Sequence, residues 1–335
     1  MATASHTRIN APLETASLFE EPSEFDRQRL AARLAALASR NIFIGTSSWK
    51  YEGWIGQIYS RNRYVTGGRF SRKRVFSKKL FNDECLSEYA ETFPIVCGDF
   101  SFYQFPSQDY WRKLFGSAPA ALRFAFKAPE DVTVKRFPTH PRYGTRAGDP
   151  NASFLDPALF QNAFLDLLSP YQPRIAVLIL EFGSFAQQTY PDAAAFLQEL
   201  EPFLAALPRD FRYAVEIRNP EFLTPEYFAC LRGHHVAHLF NAWTRMPEIG
   251  LQMRLRDAYT SDFTVARALL RRGRAYEEAV QKFTPYAHVQ DPNPASRDAL
   301  RQLIAHARER HEPSYIFVNN RLEGNAPETI EAIVE

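Results

Sequence analysis

Charged and amide side chains recur in this chain at the ends of short apolar runs, where a buried strand would give way to a loop. FRFAFKAP carries Lys127, YAVEIRNP carries Glu216 and Arg218, and IAVLILEF nears its end at Glu181. IVCGDF contains Asp99, TVARALL contains Arg267, HVAHLFNAW contains Asn241, and YIFVNNRLEGNAP contains Asn319 and Asn320. Three cations and three carboxylates in such places are costly to bury unless they pair or meet a ligand. Their types suggest acid/base work. Glu216, two residues before Arg218, could be a base or acid tuned by a neighbouring cation, and Lys127 could stabilise a developing anion or hold a phosphate. Glu181 and Glu216 could form the pair of carboxyl groups that glycoside hydrolysis needs, with their separation deciding the outcome. Asp99, Glu181 and Glu216 could instead offer oxygens to a hard metal ion. Trp49, Tyr51, Trp54 and Tyr103 could wall a sugar or a base, or serve as core.

Other chemistries find less support. The chain has no HExxH, and His234, His235 and His238 fall where a helix ends and a strand begins, so they read as structural. Cys97 has no evident base beside it and reads as a buried small residue. No metal site is assigned, and no cofactor is specified.

The elements that must position these groups follow from periodicity. Eight strand candidates are Ile42–Ser48, Ile95–Phe100, Leu122–Ala128, Ile175–Phe182, Tyr213–Arg218, Val236–Asn241, Thr264–Leu270 and Tyr315–Asn320. Helical patterns occupy Phe25–Arg40, Glu84–Thr92, Gln108–Phe115, Pro157–Leu168, Asp192–Leu207, Pro225–Arg232, Ser296–Arg310 and Ala326–Val334. Strands alternating with helices predict an α/β chain, and eight strands predict a TIM-barrel-like (β/α)8 parallel barrel with an extra N-terminal helix and loop insertions. A doubly wound sheet competes, but no GxGxxG follows the first strand. In such barrels chemistry gathers at the C-terminal mouth. Strand parity places Lys127, Glu216 and Arg218 inward and Phe124, Phe126, Val215 and Ile217 toward helices. The same alternation predicts that Asn320 looks into the mouth while Asn319 serves the turn. Gly324 would accept a positive φ, and Pro327 suits a helix start. The segment 242–263 carries no clear pattern.

The chain has 335 residues, 45% of them hydrophobic and 23% charged, which fits a globular domain. Residues 1–22 are polar and small and read as a mobile tail, and 23–335 as one domain. No apolar run reaches the roughly 18 residues of a membrane helix. The first residues lack a secretory signal's apolar core, and three scattered cysteines suggest no disulfide framework, so a cytoplasmic setting is expected. The net charge is +2, but residues 61–79 hold eight Lys/Arg and no acid, leaving −6 elsewhere. That insertion is either a solvated loop or an electrostatic footprint for nucleic acid, with Tyr64, Phe70 and Phe76 as stacking groups or anchors.

GTSSWKYEGWIGQIY, VCGDFSFYQFPS, FRFAFKAP, YAVEIRNPEF and YIFVNNRLEGNAP occur in this order, and the chain resembles domain-of-unknown-function family 72, the YecE-like proteins, over roughly residues 42–330. The resemblance implies a TIM-barrel-like fold and brings no established reaction. The family's motif residues fall on Gly45, Thr46, Trp49, Tyr51, Trp54, Phe102, Tyr103, Pro106, Lys127, Glu216, Arg218, Arg267, Asn319, Asn320, Gly324 and Pro327. The chain departs from the commonest pattern in three places. Cys97 and Asp99 stand where a glutamate and an asparagine are usual, Thr133-Val134 replaces threonine-histidine, and LEFGSF replaces QLPPSF and brings in Glu181. A longer branch with a basic insertion is implied.

The expected function is a hydrolase- or lyase-like enzyme acting by acid/base catalysis on a small anionic or sugar/phosphate-containing substrate. Glu216, Lys127, Arg218 and Glu181 would be catalytic. Trp49, Tyr51, Asp99, Tyr103, Asn241, Arg267, Asn319 and Asn320 would bind substrate. The alternative is a non-catalytic protein binding an anionic ligand, or nucleic acid through 61–79.

Overall fold

A computed structural model describes residues 25–67 and 74–335. Eight parallel strands close into a barrel: β1 (Ile42–Thr46), β4 (Ile95–Gly98), β5 (Arg123–Lys127), β6 (Ile175–Phe182), β7 (Tyr213–Ile217), β8 (Ala237–Ala242), β9 (Thr264–Ala268) and β10 (Ser314–Val318). Each pairs with its sequence neighbours in the barrel, and β1 closes the ring between β10 and β4. All eight expected strands are present. The expected C-terminal ends of several run on by one or two residues, because the polar and aromatic residues there leave the ladder. Asp99–Phe102, for example, turns into a 3-10 helix.

The strands read as near-continuous apolar runs because both faces are buried. Phe43, Ile95, Cys97, Ala125, Val177, Ile179, Ala214, Leu239, Val265, Tyr315 and Phe317 fill the inside. Ile44, Val96, Phe124, Phe126, Leu178, Leu180, Val215, Ile217, Ile316 and Val318 pack outward in the main core. Fully burying one such side chain contributes about 1.5–3 kcal/mol. The alternation expected for β5 and β7 is therefore the one observed.

The helices that cover this outer surface include α1 (Arg27–Ala38), α2 (Lys78–Tyr89), α3 (Gln108–Ser117), α4 (Ala193–Ala206), α5 (Pro225–Gly233), α6 (Tyr276–Phe283), α7 (Pro294–Arg310) and α8 (Ala326–Val334). Asp26 caps α1 by accepting from the Arg29 N–H at 2.9 Å, and Leu30, Leu34 and Leu37 face the core. The helix expected over Pro157–Leu168 is interrupted by a π turn at Gln161–Leu165. Sequence periodicity misses α6, a two-turn element behind an arginine-rich loop. It also misses the antiparallel pair β2 (Val65–Gly67) and β3 (Arg74–Phe76) inside the basic stretch. Residues 249–252 form one helical turn in the unpatterned segment. No helix among the described residues is long and apolar enough to cross a membrane.

The tail 1–22 lies outside the described residues, as do Phe70, Arg72 and Lys73 of the basic stretch. Tyr64 is an anchor: its ring packs edge-on against Phe81 and its hydroxyl donates to the buried Glu88 carboxylate. Glu88 also accepts from the Ser60 N–H at 2.9 Å and from Arg27 at 3.4 Å, tying this stretch to α1 and α2.

Barrel closure at β1 depends on Gly45. A Cβ there would lie 1.9 Å from the Ile95 carbonyl oxygen, so the backbones of β1 and β4 approach too closely for any side chain. Gly45→Ala is expected to lower stability by about 3 kcal/mol in urea unfolding. Gly116→Ala, at a helical position with nothing within 4 Å, is expected to leave stability unchanged or raise it. Equal stability of the two variants would show that the closure tolerates a wider seam.

Candidate functional site

Arg267 is the centre of the C-terminal mouth. It lies on β9 in the same inward register as Val265, and its guanidinium reaches three carboxylates, on β6, on β7 and just past β4. Nη1 donates to Glu181 at 2.7 Å and also to Glu216, and Nη2 donates to Asp99 at 3.0 Å. Lys127 Nζ is 2.9 Å from Glu181 and 3.9 Å from Asp99. Arg218 Nη2 is 2.8 Å from Glu216 and 3.0 Å from Glu181. The six groups balance as three cations against three anions. Arg267, Lys127, Glu181 and Glu216 are buried, whereas the Asp99 and Arg218 side chains keep 28% and 13% of their exposure. The network therefore has a closed floor and an open edge.

Burial alone would push the Glu181 carboxyl up, but Arg218, Lys127 and Arg267 outweigh it and hold the group well below the usual carboxylate range. A group held ionised in this way is a poor general acid near neutral pH, and so firmly stabilised a carboxylate is also a weak base. Burial works against the Arg267 charge, yet Glu216 and Asp99 raise its pKa well above the usual value. The Arg267 guanidinium also fills the position between the three carboxylates that a metal ion would need. Among the described residues no group of three or more His, Cys, Asp or Glu side chains is placed to hold one.

The remaining predicted site residues divide. Tyr51 packs on Trp54 and edge-on to Tyr286, with centroids 4.8 and 5.5 Å away. Burial pushes its hydroxyl up to about 12, with the Arg321 charge opposing and Asp99 reinforcing. Trp49 is core, edge-on to Phe100, and its indole N–H has no partner. Tyr103 is 54% exposed and lies under the Arg142 guanidinium at 4.5 Å. Asn241 is fully buried, its Nδ2 donating to the Ile217 carbonyl at 3.1 Å, and acts as a tie between β7 and β8.

The two terminal asparagines reverse one expectation. Tyr315 and Phe317 face the barrel interior, so the inward register continues to Asn319, whose N–H donates to the Ala268 carbonyl at 2.9 Å. The Asn319 Oδ1 accepts from the Arg321 N–H at 3.0 Å and shapes the turn, as expected. Asn320 does not look into the mouth. Its Oδ1 accepts from Trp54 Nε1 at 3.2 Å and from the Ala326 N–H at 2.7 Å, holding the start of α8. Gly324 does adopt φ +119°, and a Cβ there would meet the His288 carbonyl at 2.7 Å.

Sequence reasoning passed over Trp243 and Arg321. Trp243 lies under Arg218 at 3.8 Å, and Arg321 lies over the Tyr276 ring at 4.6 Å. Both stand one or two residues beyond predicted strand-end residues, which is the signal that could have found them. The histidines read as structural sit away from the mouth, and burial lowers His238 to about 3, keeping it neutral. Burial raises the Cys97 thiol, which leaves it protonated.

The network sets an acid dependence. The folded pKa of Glu181 lies below its ordinary 4.5, so its contribution is complete above that pH and is lost as pH falls through the folded value. Arg267→Met leaves three carboxylates without their common partner. It is expected to destabilise by about 3–5 kcal/mol at pH 7. The deficit should narrow as pH falls below 4.5, because the unaltered protein then loses the Glu181 contribution that Arg267 helps to create; urea midpoints at pH 7 and near pH 4 measure it. Equal stability at pH 7 would mean the network is not a structural unit.

The protein is similar to known chains over most of its length. The family model described as "Protein of unknown function DUF72" matches residues 43–335. The UPF0759 protein YecE of Escherichia coli (strain K12) is 28% identical over 138 residues, 41% of this chain, and the match covers 42% of that relative's length. The crystal structure of a DUF72 family protein from Thermotoga maritima MSB8 superposes with a TM-score of 0.58 at 18% identity, covering 86% of this chain and 96% of that one. One from Enterococcus faecalis V583 gives 0.55 at 14% identity, covering 87% and 94%. These two share the fold. With a family model spanning the barrel from its first strand to the last residue, the chain belongs to the DUF72 family.

Proposed function

We propose that the protein binds a small anionic molecule at its C-terminal mouth, and that the site works through fixed positive charge rather than through a protonated carboxyl group. The carrying observation is the asymmetry of the network. Its floor is neutralised and closed, while Arg218 reaches its open edge backed by the Trp243 ring. Stacking on an aromatic face holds a guanidinium in place without cancelling its charge. Arg321 follows β10 at the same end of the barrel, and among the described residues it has no carboxylate partner. An anion entering here meets two planar donors and an aromatic wall of Tyr51, Trp243 and Tyr286.

The acid/base reading needs a carboxyl group that can exchange a proton near neutral pH. Glu181 does not meet that need while three cations surround it. One geometric feature keeps a route open. An anion that drew Arg218 toward itself would leave Glu216 with one cation, Arg267, instead of two.

Calorimetric titration of the full chain with small carboxylates at low salt is expected to show saturable binding. Arg218→Ala should weaken it at least about tenfold, the usual size for a lost charge-assisted contact. A hydrolytic turnover abolished by Glu216→Gln in a folded protein would overturn the fixed-charge reading in favour of an acid/base enzyme. No anion binding at all would sink both.

A further inference from the structure

The loops after the last two barrel strands concentrate positive charge that the central network does not use. β9 is the seventh barrel strand, and Leu269–Ala275 leads from it into α6. This loop carries Arg271, Arg272 and Arg274, Lys282 follows on α6, and Arg321 follows β10. Five cations thus stand against Glu277, Glu278 and Asp291, while Glu323 of the β10 loop is taken up by Arg297. Asp291 is the hub: Arg271 Nη1 is 3.1 Å from it, Lys282 Nζ is 3.0 Å, and Arg274 donates to it as well. Glu278 is 3.6 Å from Arg274 Nε and is solvent-facing. One aspartate shared by three cations leaves the group with surplus charge.

Four further features distinguish this region from an ordinary basic surface. Arg274 is 8% exposed, yet among the described residues its Nη1 has no hydrogen-bond partner, and a buried donor without a partner is costly. The Arg321 Nε is likewise without a partner among the described residues, although its guanidinium is held over Tyr276. Tyr276 is the first residue of α6, and Ala275 at the cap supplies no side-chain acceptor, so the first N–H groups of that helix are not capped by a side chain. Gly273 adopts φ +81° with open space around the position of a Cβ, which bends the loop back toward Thr244, whose carbonyl accepts from the Gly273 N–H at 2.8 Å.

We propose that the loops after β9 and β10, with Arg321 over the first residue of α6 and Arg274 along its flank, form a phosphate subsite beside the mouth. It takes the phosphate of a phosphomonoester whose remaining part lies against Tyr51 and Arg218. The assignment rests on the reading of the mouth as an anion site and names the anion. Phosphate fits better than carboxylate because its three terminal oxygens can use donors from several directions, and its charge approaches −2 near pH 7. The placement also follows the physics of this architecture: in (β/α)8 barrels phosphate groups are frequently held by the loops after strands seven and eight and the N-terminus of a short extra helix. α6 is such a helix, with eight residues.

The test titrates the full-length protein with inorganic phosphate and, separately, with acetate, following 31P line width and calorimetric heat. Phosphate is expected to bind at least about tenfold more tightly than acetate. Arg321→Ala should weaken phosphate at least about tenfold and Arg321→Lys should restore only part of it, because a point charge replaces a planar fork. Arg271→Ala, a partly exposed change, is expected to weaken phosphate several-fold with the fold intact. Arg218→Ala should leave inorganic phosphate within about twofold while weakening a phosphomonoester at least about fivefold. Phosphate binding that ignores Arg321 but falls with Arg218→Ala would overturn the subsite and leave the mouth as an anion site. Equal affinity for acetate and phosphate would overturn the choice of phosphate. Absence of binding by any anion would overturn both readings.

Discussion

The structure depends on a guanidinium that cannot be left alone. Moving a charge of that size from water into a protein interior costs several kcal/mol, and the cost is offset only when matched partners surround it. Arg267 finds them on β6, on β7 and just past β4, so a single buried charge ties together the top of the barrel across its diameter. Register follows from this. Arg267 lies opposite Asn241 of β8 and Phe317 of β10, and Glu181 lies opposite Glu216 between β6 and β7. A slip of one residue would turn Arg267 or Glu216 toward the helices and strand its partners. Apolar packing alone specifies such strands weakly, because both of their faces are hydrophobic.

The same pairing that secures the barrel limits what its centre can do. Charges that neutralise one another with two or three hydrogen bonds each are already organised and have little left to give a substrate. On the proposed anion-binding reading, a ligand therefore meets the edge of the network, where Asp99 and Arg218 retain contact with solvent. A ligand that acts here does so by competing for Arg218. Any gain in reactivity at Glu216 is then coupled to binding, because the carboxylate is released only when the arginine is engaged.

How much of this was legible in the sequence depended on whether polar residues broke the symmetry of a strand. In YAVEIRNP the charge of Glu216 marks one face as special, and in FRFAFKAP the phenylalanines mark the other; both strands point as their alternation suggests. YIFV has no such marker. Tyr315, Ile316, Phe317 and Val318 are all apolar enough for either face, so the direction of Asn319 and Asn320 is undetermined until the packing of Tyr315 against Phe43 is known. The eight strands were legible because burial on both faces gives compact apolar runs. The helix α6 was not, because two turns carry few periodic positions and an arginine-rich loop precedes them. Tyr64 shows a similar limit: an aromatic residue among cations looks alike whether it stacks on a ligand or, as here, donates to a buried carboxylate.

The way the arginines are held separates structural from available charge. Arg267 is fixed by carboxylates, which cancel it. Arg321 is fixed by the face of Tyr276, and Arg218 is shared between carboxylates and the face of Trp243. An aromatic ring orients a guanidinium while leaving its charge for a third party, so a ring-backed arginine is preorganised for an anion at small entropic cost. Ring backing alone does not make a site, since Arg123 over Phe43 and Arg212 over Phe263 show it at the opposite end of the barrel. What differs at the mouth is convergence. There the ring-backed arginines flank a neutral floor, and a second cluster of cations shares one aspartate close by. Opposed charges within the floor attract nothing from a distance, so the long-range pull of this face on an anion comes from its rim.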